Sequence, residues 1–187
     1  MGKLYLRAFE YSDLNLLNSI RNDDSLFQTT GGNKYFISSE YDKKWVEDKI
    51  FNNYNQLYLV ICSRDSDVPV GYLCATNIDY INRKAEWGGL IISKEFNGRG
   101  FGTEAGYLLL AHLFEELGIN MVYAYVKEDN KGSYRIYEKL GFHKDGLIRD
   151  FVYKLNDYHN AYIFTMLKSD FENLKMSRKE QLPISIK

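Results

Sequence analysis

The sequence predicts an α/β fold of the α+β kind, with a single mixed, mostly antiparallel central sheet of about seven strands flanked by about four helices. Three observations carry this. Short runs rich in Leu, Ile, Val and Tyr alternate as strands do along the chain. The middle runs, at 57–63, 70–77 and 84–93, are separated by turn-length segments and so join as an antiparallel meander. A glycine-rich segment at 97–103 then leads from strand to helix to strand, which makes the sheet a mixed one. No repeat or linker divides the 187 residues, so one domain over 1–175 is expected, followed by a polar tail at 176–187 that frays.

Residues 4–8 read as the first strand. Ser12 and Asp13 precede Leu14, Leu16, Leu17 and Ile20 at helical spacing, the pattern of an N-capped amphipathic helix. A loop containing Thr29, Thr30, Gly31 and Gly32 follows. Ser38 or Ser39 caps a helix over 40–51, where Trp45, Val46 and Ile50 form an apolar stripe against Lys43, Lys44, Asp48 and Lys49. The hairpin 57–63/70–77 turns at 64–69, and 84–93 continues it. After the glycine segment, Ala105, Leu108, Leu109, Leu113 and Leu117 recur at helical spacing. A strand at 120–126 comes next, and then a helix that opens near Asn130 and Ser133 and stops at Gly141. Strands near 147–153 and 159–167 close the sheet.

Composition sets limits on function. Hydrophobic content is 45% without an apolar run of about eighteen residues, so no membrane-spanning helix is expected. A net charge of −1 offers no basic field for nucleic acid. Cys62 and Cys74 sit inside apolar strand-like runs and read as small buried hydrophobes; with nothing at the start resembling a signal peptide, a reducing cytoplasm is the expected setting. His112, His143 and His159 lack metal-ligand spacing and there is no Cys-x-x-Cys, so no metal is expected.

The segment Asn97, Gly98, Arg99, Gly100, Phe101, Gly102, Thr103 carries the chemistry. A glycine turn between strand and helix leaves the first-turn N–H groups unpaired at the positive end of the helix dipole, a place suited to a pyrophosphate. The same glycines also suit a plain tight turn. A dinucleotide fingerprint requires Gly-x-Gly-x-x-Gly with an acid about twenty residues on, and a P-loop requires Gly-Lys-Ser/Thr after a four-residue gap; neither is present. The order resembles instead the acetyl-CoA loop of the GNAT-type N-acetyltransferase superfamily, Gln/Arg-x-x-Gly-x-Gly/Ala. Asn97 departs from it at the first position, where backbone amides do the work. The run NKGSYRIYEKLGF at 130–142 resembles that superfamily's second motif, Asn-x-x-Ser-x-x-x-Tyr-x-x-x-Gly-Phe, with Ser133, Ile136, Tyr137 and Leu140 on one helical face. The resemblance covers about residues 3–172, and it implies a GNAT-like fold and acetyl-CoA as the cofactor.

Several roles follow from the resemblance. The strand backbone at Leu90, Ile91 and Ile92 corresponds to the part that holds the pantetheine amides and faces the acetyl carbonyl, and Gly88 with Gly89 supplies a bulge where two strands splay. Asn130, Ser133 and Tyr137 flank the pantetheine arm, and Tyr137 is the candidate general acid toward the coenzyme A thiolate. Glu86 reads either as the base that takes the substrate ammonium proton or as a solvated strand-end carboxylate. Arg99 and Thr103 in the loop are candidate phosphate contacts, as are Lys131 and Arg135 at the later helix.

The acceptor is less sharply drawn. The resemblance is to the branch holding ribosomal-protein amino-terminal, spermidine and nucleotide-sugar-amine acetyltransferases, and it points to Arg21, Asn22, Tyr35, Tyr80, Glu86 and Tyr158 as acceptor-side residues. A polyamine requires converging carboxylates, for which Glu40, Asp79 and Glu86 are candidates; an amino sugar suits aromatic walls, and aromatic residues make up 16% of the chain. The expected activity is direct acetyl transfer in a ternary complex to a small-molecule amine. The alternatives are a protein N-terminal acetyltransferase and a non-catalytic acetyl-CoA sensor. An exposed edge in the late hairpin suits a homodimer.

Overall fold

A computed structural model describes residues 2–29, 36–52 and 54–178. Its strands are β1 (Leu4–Ala8), β2 (Leu57–Ser63), β3 (Pro69–Asp79), β4 (Lys84–Ile92), β5 (Met121–Lys127), β6 (His143–Lys154) and β7 (Asp157–Leu167). They form one sheet in the order β1-β2-β3-β4-β5-β7-β6. Only the β4–β5 pair is parallel, because the segment between them crosses over as a helix while every other neighbour returns by a turn or pairs head to tail. Seven strands in a mixed, mostly antiparallel sheet match the sequence expectation.

The helices are α1 (Leu14–Arg21), α2 (Asp24–Thr29), α3 (Ser39–Phe51), α4 (Phe101–Ala111, prolonged by a π turn over His112–Glu116), α5 (Lys131–Leu140) and α6 (Lys168–Arg178). Ser38 caps α3 by accepting from the Tyr41 N–H at 3.1 Å. Asp13 does not cap α1 as its position suggests. Its carboxylate accepts from the Glu10 N–H at 2.9 Å and pairs with both Arg7 guanidinium nitrogens at 2.7 Å, so it fixes the turn before the helix instead.

Among the described residues there are six helices, two more than the roughly four legible in the sequence. In α2, the six residues DSLFQT are too few to show a period. In α6 only Phe171 and Leu174 reach the core, so the run reads as polar. Phe171 is nonetheless fully buried, its ring 5.3 Å from Phe114 and 5.4 Å from Tyr107. This helix explains why α4 is apolar all round: the sheet lies on one side and α6 on another, burying every residue from Ala105 to Ala111. α6 continues to Arg178, past the boundary expected at residue 175, and residues 179–187 lie outside the described set.

The sheet separates two cores. Leu6, Leu73, Trp87, Val122 and Phe164 belong to the larger one, with α4, α5 and α6. Tyr5, Phe9, Val60 and Cys62 meet Leu17 of α1 and Val46 of α3 in the smaller one on the opposite face.

Candidate active site

β4 and β5 pair only at Lys84↔Met121, Ala85↔Val122 and Glu86↔Tyr123, and then part. The cause lies in β4. Against β3 the register jumps from Ala75↔Trp87 to Cys74↔Gly89, leaving Gly88 as the extra residue of a bulge. A side chain does not fit there, since a Cβ on Gly88 would sit 2.6 Å from Thr76 Oγ1 and 3.3 Å from Cys74 Sγ. The strands thus open into a cleft of about 1150 Å³ lined by residues 87–92 of β4, by Tyr125, Val126 and Lys127 of β5 and by the start of α5. Past Glu86 the β4 backbone facing β5 has no strand partner, so it can pair with an extended, amide-bearing ligand as an added strand does.

At the end of β4 the glycine segment turns into α4. Gly98 (φ +77°) and Gly100 (φ +82°) occupy the left-handed region, and Gly100 is the N-cap of α4 without a side-chain cap. The first-turn N–H groups of Phe101, Gly102 and Thr103 therefore lack intrahelical partners and gather at the positive helix end. Gly102 serves packing: a Cβ there would meet Ile136 Cδ1 at 2.8 Å and Leu90 Cδ2 at 3.3 Å. Phe101 is a core residue stacked on Phe96. The Arg99 guanidinium donates to the Glu95 carbonyl at 3.0 Å and lies over the Phe96 ring, exposed beside the turn. Asn97 lines the cleft.

The opposite wall begins where Asn130 caps α5, its Oδ1 accepting from the Ser133 N–H at 3.0 Å. Lys131 and Ser133 line the cleft, whereas Arg135 does not. Tyr137 is 6% exposed. Its ring meets Trp87 and Phe142 edge-on, each at 4.9 Å, and stacks on Phe164 at 5.4 Å. It lines the cleft, and its hydroxyl has no hydrogen-bond partner among the described residues. Burial, and after it the neighbouring Cys74 and Glu86, push the phenol well above its usual range, so it keeps its proton.

Glu86 lies at the last β4–β5 pair and accepts from Asn77 Nδ2 at 2.7 Å; it stands beside the cleft rather than in its lining. Other parts of the cleft lining are aromatic. Trp45, Tyr58 and Tyr72 form one of them together with Cys74, and Tyr125, Phe151 and Tyr153 form the other. Arg21 lines the cleft too, but its guanidinium is bound to the fully buried Asp42 and covers the Trp45 ring at 5.0 Å. Asn22 is a brace: its amide donates to the Asn18 and Ile37 carbonyls and accepts from the Ile37 N–H. Tyr80 packs edge-on against Tyr54, Tyr158 lies against Tyr153, and neither lines the cleft. Tyr35 is outside the described residues.

The carboxylates named for a polyamine do not meet in the cleft. Glu40 and Asp79 are absent from its lining, and Asp79 is occupied by the Ile81 and Asn82 N–H groups and the Asn82 side chain. Asp129, which does line it, is paired with Lys127 at 2.8 Å. Residues 30–35 contain no Asp or Glu.

Both cysteines are free and buried, and burial pushes the Cys74 thiol up to about 12. Among the described residues no group of three or more His, Cys, Asp or Glu could hold a metal, and no helix is long and apolar enough to cross a membrane. Trp45, Tyr58, Tyr72 and Trp87 escaped the sequence reading as site residues, whereas Phe151 and Tyr153 fall in the 150–159 hairpin that the family resemblance places on the acceptor side. The one available signal was the Gly88-Gly89 pair, which places Trp87 at a bulge.

The acetyltransferase (GNAT) domain family matches residues 3–143. The chain belongs to this family. As a GNAT protein its enzyme class is that of an acetyl-CoA-dependent N-acetyltransferase. It is 36% identical over 105 residues to YdaF of Bacillus subtilis (strain 168), a ribosomal N-acetyltransferase candidate; the match takes in 56% of this chain and 57% of that protein. It is 28% identical over 160 residues to the spermidine N(1)-acetyltransferase of Escherichia coli (strain K12), covering 83% of this chain and 81% of that one. Among solved structures, the Vibrio cholerae spermidine N-acetyltransferase in complex with CoA and spermine superposes with a TM-score of 0.84 at 24% identity, over 91% of this chain and 99% of that one, a likeness of fold.

Proposed function

We propose that this GNAT protein moves the acetyl group of acetyl-CoA to the primary amine of a small molecule by direct attack in a ternary complex. The observation that carries the proposal is the splay of β4 from β5 at the Gly88 bulge, with the Gly100 turn next to it and Tyr137 in the cleft lining. The site fits the coenzyme: unpaired strand backbone suits pantetheine amides, and an uncapped helix start behind two left-handed glycines suits a pyrophosphate. Acetyl-CoA supplies the acyl group as a thioester. The residues assigned to hold it are Leu90, Ile91 and Ile92 through their backbone, Asn97 through Thr103 at the phosphates, and Asn130 and Ser133 along the arm.

The remaining chemistry is proton management and charge stabilisation. A primary amine arrives mostly as its ammonium and must lose a proton; Glu86, oriented by Asn77, takes it directly or through water. Backbone N–H groups of β4 face the carbonyl oxygen where negative charge develops. Tyr137, still protonated, donates to the departing thiolate. From the ammonium, nitrogen loses two protons, one passed to solvent by way of Glu86 and one matched by the proton the thiolate gains through Tyr137, with a C–N bond formed and a C–S bond broken.

The walls favour an acceptor with an uncharged, ring-bearing body, such as an amino sugar, over a polyamine. Trp45, Tyr58, Tyr72, Phe151 and Tyr153 offer faces and hydroxyls, and no unpaired carboxylate lines the cleft among the described residues. The free thiols support a cytoplasmic setting, and the exposed edge strand β6 supports a homodimer.

The test is release of free thiol from acetyl-CoA against an amino sugar, an aromatic monoamine, spermidine and a short peptide with a free N-terminus. Turnover of the neutral-bodied monoamines ahead of spermidine is expected. Preference for spermidine overturns the argument from the walls, and preference for the peptide indicates N-terminal acetylation. Binding without thiol release for any amine indicates a sensor.

A further inference from the structure

We infer that Trp87 is the positioning residue of the transfer: its indole orients the strand amide that meets the acetyl group and holds the Tyr137 ring at the same point. The inference rests on the acetyltransferase reading above and deepens it. Trp87 is the first residue of β4 beyond the last β4–β5 pair, so its 3%-exposed ring occupies the apex of the splay and still lines the cleft.

The indole makes two contacts that bear on the reaction. Nε1 donates to the Gly89 carbonyl across the bulge at 3.1 Å. A carbonyl and the N–H of the next residue share one rigid plane, so holding Gly89 O also fixes the direction of the Leu90 N–H, the first of the backbone donors assigned to the acetyl end. The ring meets Tyr137 edge-on at 4.9 Å, with Phe142 behind both at 4.9 and 6.0 Å. The oxyanion-side donor and the candidate acid are thus set by one side chain.

The space for that side chain is built into α4. A Cβ on Gly106 would overlap the Trp87 ring, so a glycine stands in the middle of a helix where alanine would favour helix formation.

The test compares Trp87→Phe, which keeps a ring and removes the N–H, with Gly106→Ala, which keeps the N–H and displaces the ring. Calorimetric titration with acetyl-CoA and with CoA, thermal melting and steady-state kinetics are read together. In both variants acetyl-CoA binding is expected to weaken about 5-fold, and CoA, which has no acetyl carbonyl, by less than about 2-fold. kcat is expected to fall roughly 30- to 100-fold with the acceptor KM unchanged. Equal weakening of both coenzymes, or a kcat loss no larger than the loss of folded protein in the melts, overturns the inference and leaves Trp87 a packing residue. A wild type that binds acetyl-CoA and acetylates no amine defeats the enzymatic reading alone, because the difference between acetyl-CoA and CoA still decides the role of Trp87. A wild type that binds neither coenzyme defeats both.

Discussion

Replacing Tyr137 by Phe separates chemistry from stability, because the two are expected to move independently. The ring contacts with Trp87, Phe142 and Phe164 survive the change, so no packing is lost. The hydroxyl has no hydrogen-bond partner among the described residues, so the folded protein loses no internal bond. A hydroxyl buried without a partner costs about 1–3 kcal/mol, so the expected gain from its removal runs from nothing to about that size. For a chain of this length each kcal/mol moves Tm by roughly 2–4 °C, so Tm should stay constant or rise in proportion. Loss of a general acid costs about 10²- to 10⁴-fold. Differential scanning fluorimetry beside thiol release at saturating acetyl-CoA reads both quantities. An unchanged kcat refutes the acid role, and a Tm drop of several degrees refutes the account of an unpartnered hydroxyl.

Three further outcomes follow from the same contacts. Gly100→Val places a β-branched residue at φ +82°, a conformation that costs about 1–2 kcal/mol for ordinary L residues, and the distorted turn should weaken acetyl-CoA binding at least about 10-fold by calorimetry. Arg21→Leu leaves the fully buried Asp42 carboxylate with Asn18 as its one side-chain partner among the described residues; stripping a buried charge of its counter-ion costs about 3–5 kcal/mol, so chemical denaturation should show a loss of that size with acetyl-CoA affinity intact. The pH profile of kcat/KM should rise above neutrality as the acceptor amine loses its proton, with no fall attributable to Tyr137 below about pH 10, since burial raises that phenol above its ordinary value. Stability carries the matching sign. Tyr58, Tyr72 and Tyr137 all have raised native values from burial, so their contribution is complete below about pH 10 and is lost as pH rises above it and the unfolded chain ionises first; a flat stability curve from pH 9 to 11 contradicts this.

The donor side of the site was legible in the sequence because its parts are local. Gly98, Gly100 and Gly102 sit between a strand and a helix, and Asn130, Ser133 and Tyr137 follow helical spacing, so short-range pattern reveals both the turn and the cap. The strand positions were legible for the same reason, with alternation along each run. What the sequence concealed depends on distant contacts. Arg21 and Asn22 resemble acceptor ligands until Asp42 and Ile37 claim their side chains from across the α1–α3 interface. Tyr58 and Tyr72 look like ordinary strand aromatics until the bulge at Gly88 opens the sheet beside them. α6 shows no helical stripe in the sequence because one fully buried residue, Phe171, docks it.

Every role assigned to the cleft requires acetyl-CoA to lie between β4 and β5. A crystal structure of the protein soaked or co-crystallised with acetyl-CoA tests this directly. The expected density has the pantetheine arm along residues 88–92, the pyrophosphate over the first turn of α4 at Gly100, and the thioester sulfur within reach of the Tyr137 hydroxyl. Coenzyme bound elsewhere, or a β4–β5 splay that closes and excludes it, contradicts the account.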